Sequence, residues 1–76
     1  MAAAHDARRT VELAIPYLPM YLLYRYCDDK AAGRSHAEGH VYNWIFKPNY
    51  TLSELTDAHL WERMDEKLAT LGGCPP

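Results

Sequence analysis

The sequence predicts an all-α protein made of one long apolar helix, an irregular connector and a second, amphipathic helix. Three observations carry this. Residues 11–26, V-E-L-A-I-P-Y-L-P-M-Y-L-L-Y-R-Y, form the one long apolar stretch and repeat their aromatic side chains at helical spacing. The next twenty or so residues contain Gly33, Gly39, Pro48 and polar residues such as Ser35 and Asn43, which interrupt any period. From Thr51 onward, a helix-start signal leads into a stripe of apolar residues three and four apart, closed by Gly72 and Gly73. The chain divides accordingly into 1–29, 30–50 and 51–76.

In the first segment Tyr17, Tyr21 and Tyr24 fall at i, i+4 and i+7 on one helix face, and Ile15, Leu18 and Leu22 make a neighbouring stripe. A helix apolar around most of its circumference belongs inside a large protein or in lipid. A chain of 76 residues is not that large protein, since a domain of this size buries only about 60% of the surface its unfolded chain exposes. Partner subunits, a lipid bilayer or both are therefore expected to cover it.

Length argues the other way. A bilayer core of about 30 Å calls for about 20 apolar residues, whereas the clean run at 13–24 rises only about 18 Å. A helix over about 4–28 is long enough to cross if Arg8, Arg9 and Arg25 snorkel outward. Pro16 and Pro19 would each cost about 3 kcal/mol inside a helix in water, and membrane helices tolerate them better because neighbours satisfy the freed carbonyls. The expectation is one kinked, membrane-embedded helix; the competing layout is two shorter helices, with a break at Ile15 and Pro16 opening the second.

The second helix has a T-x-x-E capping box, Thr51 with Glu54, flanked by Tyr50 and Leu55 at the staple positions. Leu52 and Leu55 point away from the stripe of Leu60, Trp61, Met64, Leu68 and Leu71. A short turn followed by a restart, with Thr56 as N-cap and Asp57 in the first turn, reconciles the two faces. This gives an amphipathic helix over about 57–71 with Glu62, Asp65 and Glu66 outside. The connector's apolar patch at 41–46, V-Y-N-W-I-F, must rest on something.

Composition removes several functions. Net charge is −2 and the basic residues are scattered, so there is no clustered basic surface for a phosphate backbone and no nucleic-acid partner is expected. The charge is uneven, with eight acids against five bases in 28–76, which suits a first part that meets a membrane and a solvated remainder. The N-terminus, M-A-A-A-H-D-A-R-R, lacks the apolar run of a secretory signal peptide and is too short for a complete transit peptide. An organellar protein would have lost a presequence or be targeted internally. Cys27 and Cys74 permit one disulfide and no disulfide framework.

No reaction is legible. His36 and His40 in H-A-E-G-H have a spacing that suits zinc on a helix, but Gly33 and Gly39 oppose a helix there. Cys27, Cys74, His5 or His59 would have to complete the site, and surface histidines in a polar loop are the plainer account. The His-x-Glu triplet at His36 lacks the cysteine half of a deaminase signature. Arg25 beside Cys27 favours a thiolate, while Asp28 and Asp29 oppose it. No Ser-His-Asp arrangement, glycine-rich phosphate loop or paired-carboxylate site stands out. No catalytic residue, cofactor, metal or small-molecule substrate is expected. Tyr24, Tyr26, Tyr42 and Trp44, flanking the end of the apolar segment, read as an interfacial aromatic belt.

The text M-Y-L-L-Y-R-Y-C-D-D at 20–29, the Gly39-His40 pair and P-N-Y-T-L-S-E-L-T-D at 48–57 resemble the AGGG-type small single-span accessory subunit of mitochondrial respiratory complex I. Tyrosines stand where that family usually has tryptophans, and Pro16, Pro19 and the helix at 57–71 depart from its pattern. The resemblance implies a non-catalytic subunit of the mitochondrial inner membrane that stabilises neighbouring subunits of the respiratory chain. Read from the helical stripes and the aromatic belt, the packing residues of such a subunit would be Tyr17, Tyr21, Tyr24, Arg25, Trp44, Leu60, Trp61, Met64, Leu68 and Leu71. The alternative is a small soluble helical protein-protein interaction module; a zinc-stapled mini-domain, unfolded by chelator, is a third reading.

Overall fold

The computed structural model describes residues 3–75, with side chains from Ala7 onward. Among the described residues four α-helices follow one another: α1, Ala3–Ala14; α2, Met20–Ala31; α3, Leu52–Asp57; and α4, Leu60–Thr70. Tight 3-10 turns at Ile15–Tyr17 and His36–Glu38 and a π-helical turn at Tyr42–Phe46 join them, and there is no strand among the described residues. The all-α expectation holds.

The prolines decide how the first half folds. Pro16 sits in the opening of the 3-10 turn that ends α1, where its missing amide costs nothing. Leu18, held in extended backbone at ψ 125° because a proline follows it, breaks the path. Pro19 at ψ 150° is then the N-cap of α2. The single kinked helix expected over about 4–28 is thus replaced by two helices of 12 residues each, about 18 Å long apiece against a bilayer core of about 30 Å. No helix of the described residues is long and apolar enough to cross a membrane, so the fold gives the membrane-embedded expectation no support.

The correction has a cause in packing. A break at 18–19 lets the two halves bury different stripes in a core the chain builds for itself. Ala7 and Val11 of α1, Leu22, Leu23 and Tyr26 of α2, and Leu60, Met64 and Leu68 of α4 all enter one cluster. Helix α1 lies against α3; the Thr10 and Tyr50 hydroxyls share a 2.8 Å hydrogen bond, and the Arg8 guanidinium donates to the Asp57 carbonyl at 3.2 Å.

Two irregularities keep the second half in register with that core. Val41 and Phe46, five residues apart, would diverge by about 140° on an α-helix. The turn between them is wound with i→i+5 bonding, Lys47 N–H to the Tyr42 carbonyl at 2.8 Å, and both side chains are buried. This is what the apolar patch at 41–46 rests on. Leu55 and Leu60 pose the same problem and solve it differently: the chain turns at Ala58 and His59, the latter left-handed at φ 62°. Helix α3 therefore runs through Asp57, and the restart expected at Thr56 falls at Leu60. The Thr51 capping box forms as expected: Glu54 N–H donates to Thr51 Oγ1 at 3.2 Å and Thr51 N–H to Glu54 Oε1 at 2.8 Å.

Helix α4 ends in a Schellman cap. Gly73 N–H donates to the Leu68 carbonyl at 2.8 Å and Gly72 N–H to that of Ala69 at 3.2 Å. Both glycines take positive φ, 97° and 85°, which any larger residue would adopt under strain. Beyond them Cys74 is disulfide-bonded to Cys27 of α2, across a sequence separation of 47. Closing a loop of this length removes unfolded-chain entropy worth about 4 kcal/mol, a large share for a small domain.

Candidate functional site

Helix α2 presents two unlike faces. Inward go Leu22, Leu23, Tyr26, Cys27 and Asp29; outward go Tyr21, Tyr24, Arg25 and Asp28. With the preceding turn and the end of α1 they leave a run of exposed large side chains: Leu13, Tyr17 at 83% of its full accessibility, Met20, Tyr21 and Tyr24. Leu71, past the end of α4, is also half exposed and meets Met20, Tyr24 and Leu68 around a surface hollow of about 290 Å³.

The residues expected to pack on partners therefore separate into two groups. Tyr17, Tyr21, Tyr24, Arg25, Trp44 and Leu71 stand on the surface. Leu60, Trp61, Met64 and Leu68 are buried in the chain's own core, so docking through the stripe of α4 gives way to intramolecular packing. Trp44 and Ile45 are lifted outward by the π-helical turn, and the Trp44 ring stands edge-on to His40 at 4.7 Å.

Below the end of α2 lies a polar cluster for which the sequence carries no periodic signal. Asp29 is buried at 4% exposure. Its carboxylate accepts the His40 backbone N–H at 2.8 Å and the Arg34 guanidinium at 3.0 Å, and both its oxygens lie 2.9 Å from His40 Nδ1. Burial alone would raise its pKa; the backbone and ring of His40, with Arg34, outweigh that and hold the carboxyl below the usual carboxylate range. Gly39 is small because space is short: a Cβ there would sit 3.3 Å from Asp29 Oδ2.

Next to it, His36 lies flat on Trp61, ring centroids 3.9 Å apart and planes 6° from parallel. Burial pushes the His36 pKa down. Tyr26 packs near the same indole at 6.4 Å, and its hydroxyl donates to Asp65 Oδ1 at 2.7 Å, where Lys30 also binds at 2.9 Å. Burial and the Asp65 carboxylate push the phenol well above its ordinary range. A neutral, stacked imidazole, a saturated carboxylate and a phenol kept protonated are groups committed to holding the connector against α2 and α4.

The zinc reading does not survive this geometry. Cys27 and Cys74 are joined to each other, and His36 and His40 face Trp61 and Asp29 respectively. No group of three or more metal-ligating side chains converges among the described residues; the His5 side chain lies outside them. An open groove of about 360 Å³ between the end of α1 and α4 is edged by Glu12, Arg63, Glu66 and Lys67. Arg63 pairs there with Glu66 at 3.4 Å and with Glu12 at 3.9 Å. Comparison with known protein families, curated proteins and solved structures finds no match.

Proposed function

We propose that the protein is a non-catalytic helical interaction module that docks on a partner protein through the outward face of α2. The observation that carries this is the run Leu13, Tyr17, Met20, Tyr21 and Tyr24, exposed on a domain that has already buried a core of its own. Isolated surface apolar residues need no explanation, but large ones repeated along one short stretch mark an interaction face. Tyrosine and arginine suit it, because protein interfaces are enriched in both, and Arg25 stands among the tyrosines.

The experiment is affinity purification in mild detergent from the native source. The wild-type chain is expected to bring down a fixed, stoichiometric set of proteins. The Tyr21→Ser/Tyr24→Ser variant is expected to lose them at least ~tenfold, as befits interface anchors worth more than about 1 kcal/mol each, with its circular dichroism unchanged. An unchanged set in the variant refutes the reading.

A second reading is favoured by the M-Y-L-L-Y-R-Y-C-D-D text and by the exposed Tyr24 and Arg25 within it. Here the partner is an inner-membrane respiratory assembly such as complex I, and the subunit attaches to its surface as a folded body. The Cys27–Cys74 bridge then requires a side of that membrane on which disulfides persist. Release of the intact chain by carbonate washing is expected on this reading, and retention in the membrane pellet counts against it.

A further inference from the structure

The tail after α4 is tied to α2 by a bond that cells make and break. The amides of Gly72 and Gly73 bond only back into α4, to Ala69 and Leu68. Among the described residues no hydrogen bond links 72–75 to α2; the disulfide does that alone. The tail nevertheless lies along α2. Pro75 borders Tyr24, Cys27, Asp28 and Ala31, and Gly72, Gly73 and Cys74 border Met20, Tyr24 and Leu68.

The two residues of the bridge are not equivalent. Cys27 is 8% exposed, whereas Cys74 is exposed on a segment led by two glycines at positive φ. An exposed disulfide is the kind that exchanges readily, and here the exposed residue of the pair follows directly on two glycines at positive φ. The rest of α2 has other attachments: Leu22 and Leu23 in the core, Tyr26 and Lys30 on Asp65, and Asp29 on His40. The bridge can open without removing them.

We propose that Cys27–Cys74 is a thiol-controlled latch on the edge of the docking face, closed when oxidised and released by a dithiol reductant. The proposal rests on the docking reading above and names its regulation. A thiolate of the reductant attacks Cys74 Sγ, the Cys27–Cys74 bond breaks, and Cys27 leaves as a thiolate that takes up a proton. The reductant's second thiolate then attacks its own sulfur in the mixed disulfide and releases Cys74, which is protonated in turn. Two electrons pass to the cystine and the dithiol becomes a disulfide. Residues 72–75 swing away on Gly72 and Gly73, and the apolar face that ends at Met20 and Tyr24 gains the flank of Leu68.

The test uses the full chain in three forms: oxidised, reduced with dithiothreitol, and carrying C27S and C74S together. Hydrogen exchange is read by mass spectrometry. In the last two forms, exchange is expected to rise in peptides covering 68–75 by at least ~tenfold more than in 7–14 and 52–64, where the lost constraint on the unfolded chain raises it evenly. Binding of the apolar dye anilinonaphthalene sulfonate is expected to rise while the near-ultraviolet circular dichroism is kept. An equal rise along the whole chain makes the bridge a global staple only and overturns the latch; an unchanged 68–75 overturns it as well. No partner enters these measurements, so failure of the docking reading, seen as capture indifferent to Tyr21 and Tyr24, is a separate result.

Discussion

Replacing Asp29 by alanine tests how the connector is held. The carboxylate is buried and takes the His40 backbone N–H, the His40 ring and the Arg34 guanidinium within 2.8–3.0 Å. Hydrogen bonds to a charged group contribute about 1.5–3 kcal/mol each. The share of Arg34 is discounted, because its side chain is 47% exposed and solvent screens it. Some of the remainder is offset by the desolvation cost that disappears with the charge. The net loss for Asp29→Ala is about 2–4 kcal/mol, and for a domain of this size each kcal/mol lowers Tm by about 4–8 °C.

The pH dependence gives a second, independent check. Hydrogen bonds from His40 and Arg34 depress the folded pKa of Asp29 despite its burial. A depressed carboxyl stabilises the fold above its unfolded value, about 3.9, and that contribution is lost as pH falls through the folded value. In urea titrations of the oxidised protein, the gap between wild type and Asp29→Ala is therefore expected to stay open above about pH 4 and close below it. A gap under about 0.5 kcal/mol, within the noise of ordinary surface changes, refutes the reasoning, as does a full gap persisting at the lowest pH. Asp29→Asn keeps one carbonyl acceptor and is expected to fall between the two.

Two further predictions concern the second half of the chain. Thr51→Ala removes the hydroxyl that caps α3 and is expected to cost about 1 kcal/mol by thermal melting, with Thr51→Ser restoring it. Met64, fully buried in α4, is expected to cost about 2–5 kcal/mol as Met64→Ala in urea unfolding, where a surface-docking stripe would show almost no loss in the isolated protein.

Local chemistry was the legible part of this fold. The Thr51–Glu54 box and the double-glycine stop depend on neighbours in sequence, and both form as read. Tyr17, Tyr21 and Tyr24 do stand exposed, but the break at Leu18 and Pro19 leaves Tyr17 off the helix that carries the other two. What failed was global accounting: taken as one helix, residues 11–26 are apolar around most of the circumference and too much for 76 residues to bury. The effect of Pro16 and Pro19 is instead to let α1 and α2 turn different stripes to a shared core. The winding at Tyr42–Phe46 and the left-handed His59 also hid core positions, because each sets residues five apart on one side, a spacing that helical periodicity assigns to opposite faces. The Asp29 lock joins residues of no shared period, and only tertiary structure reveals it.

The stacking of His36 on Trp61 gives the protein an optical signal of its own. It has two indoles, Trp44 in water and Trp61 dry beneath an imidazole, so their emission separates by wavelength. Lifting the His36 ring off Trp61 lets water reach the indole and moves its emission to the red. The blue component of the fluorescence therefore reports whether the loop around His36 is seated, and it does so without a label.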